Sequence, residues 1–149
     1  MKSNIYIRDG RAPIPKKELT SRVMSANRGK GTRPELILKR ELRKDKIGPA
    51  RYNFSGLVGR PDVVFPHDGV AIFVNGCFWH GCPQCKMPLP KTNRQFWKKK
   101  FERNKERDKK NVRELRKLKW KTIIIWEHEI NGNLPRAVKK IERALNAAK

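Results

Sequence analysis

Between residues 32 and 47, TRPELILKRELRKDKI, apolar residues recur at helical spacing. Leu38 and Leu42 lie one turn apart and predict an amphipathic helix. Thr32 with Glu35 three positions on has the form of a capping box, and Gly48-Pro49 ends the segment. Three short runs follow, RYNF (51–54), PDVVF (61–65) and VAIFVN (70–75). They are rich in Val, Ile and Phe, are separated by glycine-containing turns, and predict strands. Residues 76–92, with prolines 83, 88 and 90, read as an irregular loop. A long helix is predicted over about 93–118. KTIIIWEH (121–128) reads as a strand in the middle of a sheet, because its apolar run is continuous. Asn131-Gly132 turns the chain, and a last helix over about 134–147 carries Val138, Ile141 and Leu145 on one face. Ahead of these elements, residues 1–19 read as an extended arm and 18–31 as a short helical turn running into a basic loop. The order of elements predicts one mixed α/β layered domain over 20–149.

Charge narrows the partner. The 149 residues include 37 Lys and Arg against 14 Asp and Glu, a formal net charge of +23. Such a surface suits a polyanion, with nucleic acid first. An anionic membrane surface is the second choice, but a basic anchor helix would carry few acids and a continuous apolar face. No run approaches the roughly 20 apolar residues of a membrane span, and the start lacks the apolar stretch of a signal peptide. A cytoplasmic location is expected, with no membrane partner.

All three cysteines fall in GCFWHGCPQC, residues 76–85. Three thiols cannot all pair within one chain, and the Cys82-x2-Cys85 spacing suits tetrahedral zinc. A fourth ligand is then needed. His80 lies inside the cluster and His128 closes the last strand, and spacing does not choose between them. The alternative is three reduced thiols packed as small apolar groups.

The long helix carries a second signal. Trp97, Phe101, Val112 and Leu115 form one stripe, and the gap in it falls on Asn104 and Asp108. Polar groups facing inward are costly without partners. Both are therefore candidate site residues, unless that turn faces solvent. Asp62, at the head of an apolar strand, is either a turn cap or a carboxylate for a metal ion in phosphodiester hydrolysis.

MSANRGKGTRPE, GRPDVVF, AIFVNGCFWHGCPQC, FWKKKFERNKERD and IIIWEHE, in that order and spacing, resemble the very short patch repair (Vsr) DNA mismatch endonucleases over about residues 20–130. The resemblance implies a restriction-endonuclease-like (PD-(D/E)xK) mixed sheet flanked by helices, with a zinc-stapled loop. It implies nicking of one strand of double-stranded DNA beside a T:G mismatch left by deamination of 5-methylcytosine. It also implies magnesium for the chemistry and zinc for structure. The family's metal-binding aspartate falls on Asp62, and its carbonyl ligand on the backbone of Val74. The catalytic histidine falls on His80. The carboxylates that hold metal-bound waters fall on Glu35 and Asp108, with Asn104 supporting them. The zinc ligands fall on Cys77, Cys82, Cys85 and His128. The aromatics that wedge into the duplex fall on Phe78, Trp79 and Trp97.

Two departures from the family pattern stand out. Asn75 replaces a histidine common in relatives, and Cys82 and His128 exchange a histidine and a cysteine while keeping four N/S ligands. A monomer is expected, since nicking one strand needs no second copy, and repair-machinery partners are compatible with this activity. Two other functions fit the residues: a restriction-like nuclease without mismatch preference, and a non-catalytic zinc-stapled nucleic-acid-binding protein. Binding alone would not need Asp62, Asn104 and Asp108.

Overall fold

The computed structural model describes residues 31–149. The expected N-terminal arm, the short helical turn and the start of the domain at residue 20 lie outside these residues. In chain order the elements are α1 (Arg33–Lys44), β1 (Arg51–Tyr52), β2 (Val63–Phe65), β3 (Val70–Asn75), α2 (Arg94–Lys117), β4 (Lys121–Trp126), α3 (Glu127–Gly132) and α4 (Leu134–Ala147). The strands form one mixed sheet in the order β1-β2-β3-β4. β1–β2 and β2–β3 are antiparallel hairpin pairs, while β3 and β4 run parallel and are joined through α2.

Period-two alternation sorts the side chains onto two faces. Val63, Phe65, Val70, Ile72, Ile123 and Ile125 meet Leu38 and Leu42 of α1 and Val138, Ile141 and Leu145 of α4. Val64 and Ala71 point to the other face, where Leu115 of α2 covers them. The fold is thus a mixed α/β arrangement with helices on both faces of the sheet.

The helices follow the sequence pattern, with local corrections. Thr32 caps α1 without a side-chain bond, so the expected capping box does not form. Glu35 Oε2 instead accepts the Gly31 N–H at 3.0 Å. α1 stops at Lys44, before the expected 47. Lys46 turns left-handed at φ 52, and Ile47 N–H bonds the Leu42 carbonyl at 3.1 Å, which tucks Ile47 into the core. β1 ends at Tyr52 rather than 54 because Asn53 takes φ 51.

β4 is not in the middle of the sheet. Among the described residues it lies at the end of the strand order and pairs with β3 alone. Its apolar character comes from Ile123 and Ile125 facing α4. Lys140 of α4 reaches back to it, donating to the Ile124 carbonyl at 3.0 Å and to Glu129 Oε1 at 3.1 Å. The strand also ends two residues early. Glu129 Oε2 accepts the Trp126 N–H at 2.7 Å, and this cap starts α3 at Glu127. The expected Asn131-Gly132 turn is therefore the last turn of α3. Asn133 then caps α4, its Oδ1 accepting the Arg136 N–H at 3.1 Å.

Candidate functional site

A cleft of about 740 Å³ opens between the N-terminus of α1, the C-terminal end of β3 and the middle of α2. Glu35, Asp62, Val74, Asn75, His80, Asn104 and Asp108 all line it. Each arrives for a local reason. Pro61 fixes its own φ just before β2, and Asp62 follows it at the head of the strand. There Asp62 N–H bonds the Ile72 carbonyl at 2.9 Å. Its side-chain Oδ2 accepts the Val74 N–H at 2.7 Å, which brings the carboxylate against the backbone of β3. Asp108 and Asn104 lie half-buried on the stripe of α2, one turn apart. The inward-facing polar pair is thus explained by the cleft.

His80 and Asp108 form a direct pair, Nδ1 to Oδ2 at 2.6 Å, with each side chain about one quarter exposed. Asp108 Oδ1 also lies 3.5 Å from the Arg107 guanidinium. Asn104 Nδ2 donates to the Trp79 carbonyl at 3.0 Å and fastens the cysteine loop to α2. Glu35, almost fully buried, ion-pairs with Lys39. Sequence reasoning missed Lys39, Arg60, Arg107, Asn111 and Glu127. Four of these line the cleft, and Lys39 supports its wall. Glu127 Oε2 accepts the Cys77 N–H at 3.2 Å, joining the end of β4 to the loop. A buried Lys on the Leu38–Leu42 face was a legible signal; the others sit in ordinary basic or acidic runs.

The loop after β3 folds around a second centre. The donor atoms of Cys77, Cys82, Cys85 and His128 all lie within 4.8 Å of one another. His128 Nδ1 is 3.3, 3.5 and 3.4 Å from the sulfurs of Cys77, Cys82 and Cys85. A tetrahedral zinc with bonds of about 2.3 Å to sulfur and 2.0–2.1 Å to nitrogen would set these edges near ~3.5 Å, so the donor set fits that ion. Gln84 Oε1 lies 2.7 Å from His128 Nε2. A hydrogen bond there directs Nδ1 toward the sulfurs, as an outer partner of a ligating imidazole does. Burial pushes the Cys77 thiol up to about 12, opposed by the His128 backbone. Burial raises Cys82 too, but hydrogen bonds from the Cys85 and Gln84 backbones outweigh it and leave that thiol below its usual value. A thiol raised as far as Cys77 gives up its proton at neutral pH to a bound cation. His128 therefore belongs to the cysteine cluster and His80 to the cleft.

Beside the cleft the aromatics stack on each other. The Phe78 ring meets Trp79 edge-on at 5.1 Å and Phe101 at 5.2 Å. Trp97, 8% exposed, lies beneath them, 5.7 Å from Trp79. Lys100 Nζ sits over Trp79 and Trp97 at 5.1 and 5.3 Å. Phe78 and Trp79 are half-buried with part of their surface open to a ligand, whereas Trp97 is their base.

The oxygen donors in the cleft are hard and few. Asp62 presents a carboxylate beside the β3 backbone, and Glu35 and Asp108 line the cleft from α1 and α2. Such a set fits Mg²⁺, which keeps several of its waters and takes one or two carboxylates. Among the described residues, only the Cys3His cluster brings three or more His, Cys, Asp or Glu donors within reach of one ion.

Comparison with known proteins agrees with this chemistry. The family model described as DNA mismatch endonuclease Vsr matches residues 13–86. The chain is 38% identical over 130 residues to the Type II nicking enzyme V.NaeI of Lentzea aerocolonigenes, covering 80% of this chain and 74% of that protein. It is 36% identical over 129 residues to the Type II nicking enzyme V.NmeAIP of Neisseria meningitidis, covering 83% and 91%. It is 37% identical over 82 residues to the DNA mismatch endonuclease Vsr of Escherichia coli K12, covering 55% and 53%.

Proposed function

We propose that this chain, which belongs to the Vsr family of DNA mismatch endonucleases and is an endodeoxyribonuclease, nicks one strand of a duplex beside a T:G mismatch. The observation that carries this reading is that Asp62, Glu35, His80 and Asp108 line one cleft together with Trp79, which packs edge-on against Phe78. The fold proposed is restriction-endonuclease-like, with the cysteine loop stapled by zinc.

His80 has Nδ1 engaged by Asp108, which leaves Nε2 as the basic nitrogen. It would take the proton of the attacking water, a step suited to an imidazole near neutral pH. Asp108 keeps the ring in that tautomer and stabilises it once protonated. This adds an orienting role to the water-holding role expected from the family. Asp62 and the Val74 carbonyl would hold Mg²⁺, which when bound neutralises charge on the phosphate and the leaving oxygen. Asn104 keeps the loop that carries His80 at a fixed distance from α2.

Phe78 and Trp79 would enter the duplex beside the mismatch. Unstacking a base step costs a few kcal/mol, and less where pairing is already weak. Trp97, expected as a third wedge, would support the other two from below. The many lysines and arginines supply affinity for phosphates that is independent of sequence.

The deciding experiment compares magnesium-dependent nicking on duplexes identical except for T:G against T:A. At least tenfold faster nicking of T:G is expected, on one strand only. Equal rates would replace the mismatch reading with a restriction-like nuclease, and binding without cleavage would leave a zinc-stapled DNA-binding protein.

A further inference from the structure

The inward face of α1 holds Glu35, Leu38, Lys39 and Leu42, all buried. Two of the four are charged: Lys39 is 4% exposed and Glu35 2%. Burying an ion pair contributes little stability, because desolvating two charges offsets most of their attraction. An apolar pair would pack this face at least as well, so the pair calls for another explanation.

The contacts supply one. Lys39 Nζ donates to Glu35 Oε1 and, at 2.7 Å, to Asn53 Oδ1. It also lies 5.9 Å from the centroid of the Tyr52 ring. Glu35 Oε2 accepts the Gly31 N–H at 3.0 Å. Asn53 is left-handed, φ 51, and its backbone N–H bonds the Asp62 carbonyl oxygen at 3.0 Å. One ammonium group therefore touches the Glu35 carboxylate directly and stands one hydrogen-bonded residue away from the main-chain carbonyl of Asp62. Both residues line the cleft.

We infer that Lys39 is a positioning residue for the divalent-cation site, fixing Glu35 in the wall and coupling α1 to the strand entrance at Asp62. This rests on the reading of the cleft given above. With one oxygen on Lys39 and the other on Gly31, Glu35 would be held back from direct ligation and would reach a bound cation through water. The fixed positive charge also reduces the pull of the two carboxylates on a cation. Without that charge the cleft binds a cation more tightly and works more slowly.

The test uses the zinc-loaded protein titrated with Mn²⁺, with free Mn²⁺ counted by electron paramagnetic resonance. Single-turnover nicking is followed over a range of Mg²⁺. Lys39→Gln keeps a side-chain donor and removes the charge, and Lys39→Arg keeps the charge. The Gln variant is expected to bind Mn²⁺ at least threefold tighter, to half-saturate at correspondingly lower Mg²⁺, and to nick at least tenfold more slowly when saturated. The Arg variant should stay within twofold of the parent in Mn²⁺ affinity. Asn53→Gly, which retains the left-handed backbone, removes the link toward Asp62. It should slow saturated nicking at least threefold with Mn²⁺ affinity within twofold of the parent, and it decides the matter if Lys39→Gln fails to fold.

Unchanged or weaker Mn²⁺ binding in folded Lys39→Gln, with a parent that binds and nicks, overturns the role of Lys39 and leaves the cleft reading intact. Parent-like nicking in Asn53→Gly does the same. A parent that neither binds Mn²⁺ beyond the zinc cluster nor nicks in Mg²⁺ overturns both readings.

Discussion

Removing the zinc proposed for the Cys77, Cys82, Cys85 and His128 cluster should unmake the loop and spare the sheet. The segment from Gly76 to Cys85 has little regular structure of its own. Its main-chain bonds include His80 N–H to the Gly76 carbonyl at 3.2 Å and Cys82 N–H to the Cys77 carbonyl at 2.9 Å. Ordering a residue's backbone costs about 1–2 kcal/mol, so this segment costs on the order of 10–20 kcal/mol. A hydrogen bond returns about 1 kcal/mol. Structural zinc contributes about 10–16 kcal/mol at neutral pH, which matches the deficit. The core between β2, β3, β4, α1 and α4 contains none of the four ligands. A strong chelator is therefore expected to raise amide hydrogen exchange across 76–92 by at least a hundredfold. Val63–Phe65 and Val70–Ile72 should keep their protection. Nicking should fall by at least a hundredfold as well, since His80 lies in the released segment, and zinc should restore it. Loop protection that survives complete metal removal would refute the reasoning, and so would melting of the whole sheet together with the loop.

Three further outcomes are expected. Asp108→Asn loses a charge-assisted hydrogen bond to His80, worth about 1.5–3 kcal/mol. It should lower single-turnover nicking by about 10- to 100-fold with DNA affinity within twofold; a rate within threefold of the parent would count against the pair. Trp79→Ala should reduce discrimination between T:G and T:A duplexes at least tenfold, and more than it reduces general affinity, as read by competitive binding and nicking. Gly59 lies at φ +77, and a Cβ there would meet Asn111 Nδ2 at 2.9 Å, so Gly59→Ala should cost about 1–2 kcal/mol in urea unfolding. Parent stability in that variant would mean that the turn beside Arg60 is not held against α2.

Much of this architecture could be read from residue types and spacing. The stripe on α2 put Asn104 and Asp108 on an inward face, and both line the cleft, because helical periodicity is a local property that packing then fulfils. The cysteine cluster was legible as a candidate metal site, but its fourth donor was not. His80 and His128 are equivalent on paper, and the register of β3 with β4, Asn75 opposite Trp126, decides which one reaches the sulfurs. The position of β4 was misread because an unbroken apolar run reports burial by any neighbour, and here α4 supplies it from one side. The early end of β4 depends on a single reach-back by Glu129. Lys39 was passed over because an i, i+4 Glu–Lys pair usually decorates a solvent face. Its place on the Leu38–Leu42 face was the overlooked sign that the pair points inward.

The bond from Lys140 to the Ile124 carbonyl has a consequence for solubility. Among the described residues β4 is a six-residue run rich in isoleucine at the end of the sheet, the kind of edge on which a neighbouring chain can add a strand and begin to aggregate. An ammonium group occupying one of its carbonyls obliges any incoming strand to evict a cation before pairing. In a protein that carries +23 in total, the Lys140 ammonium is thus engaged on the edge strand of its own chain.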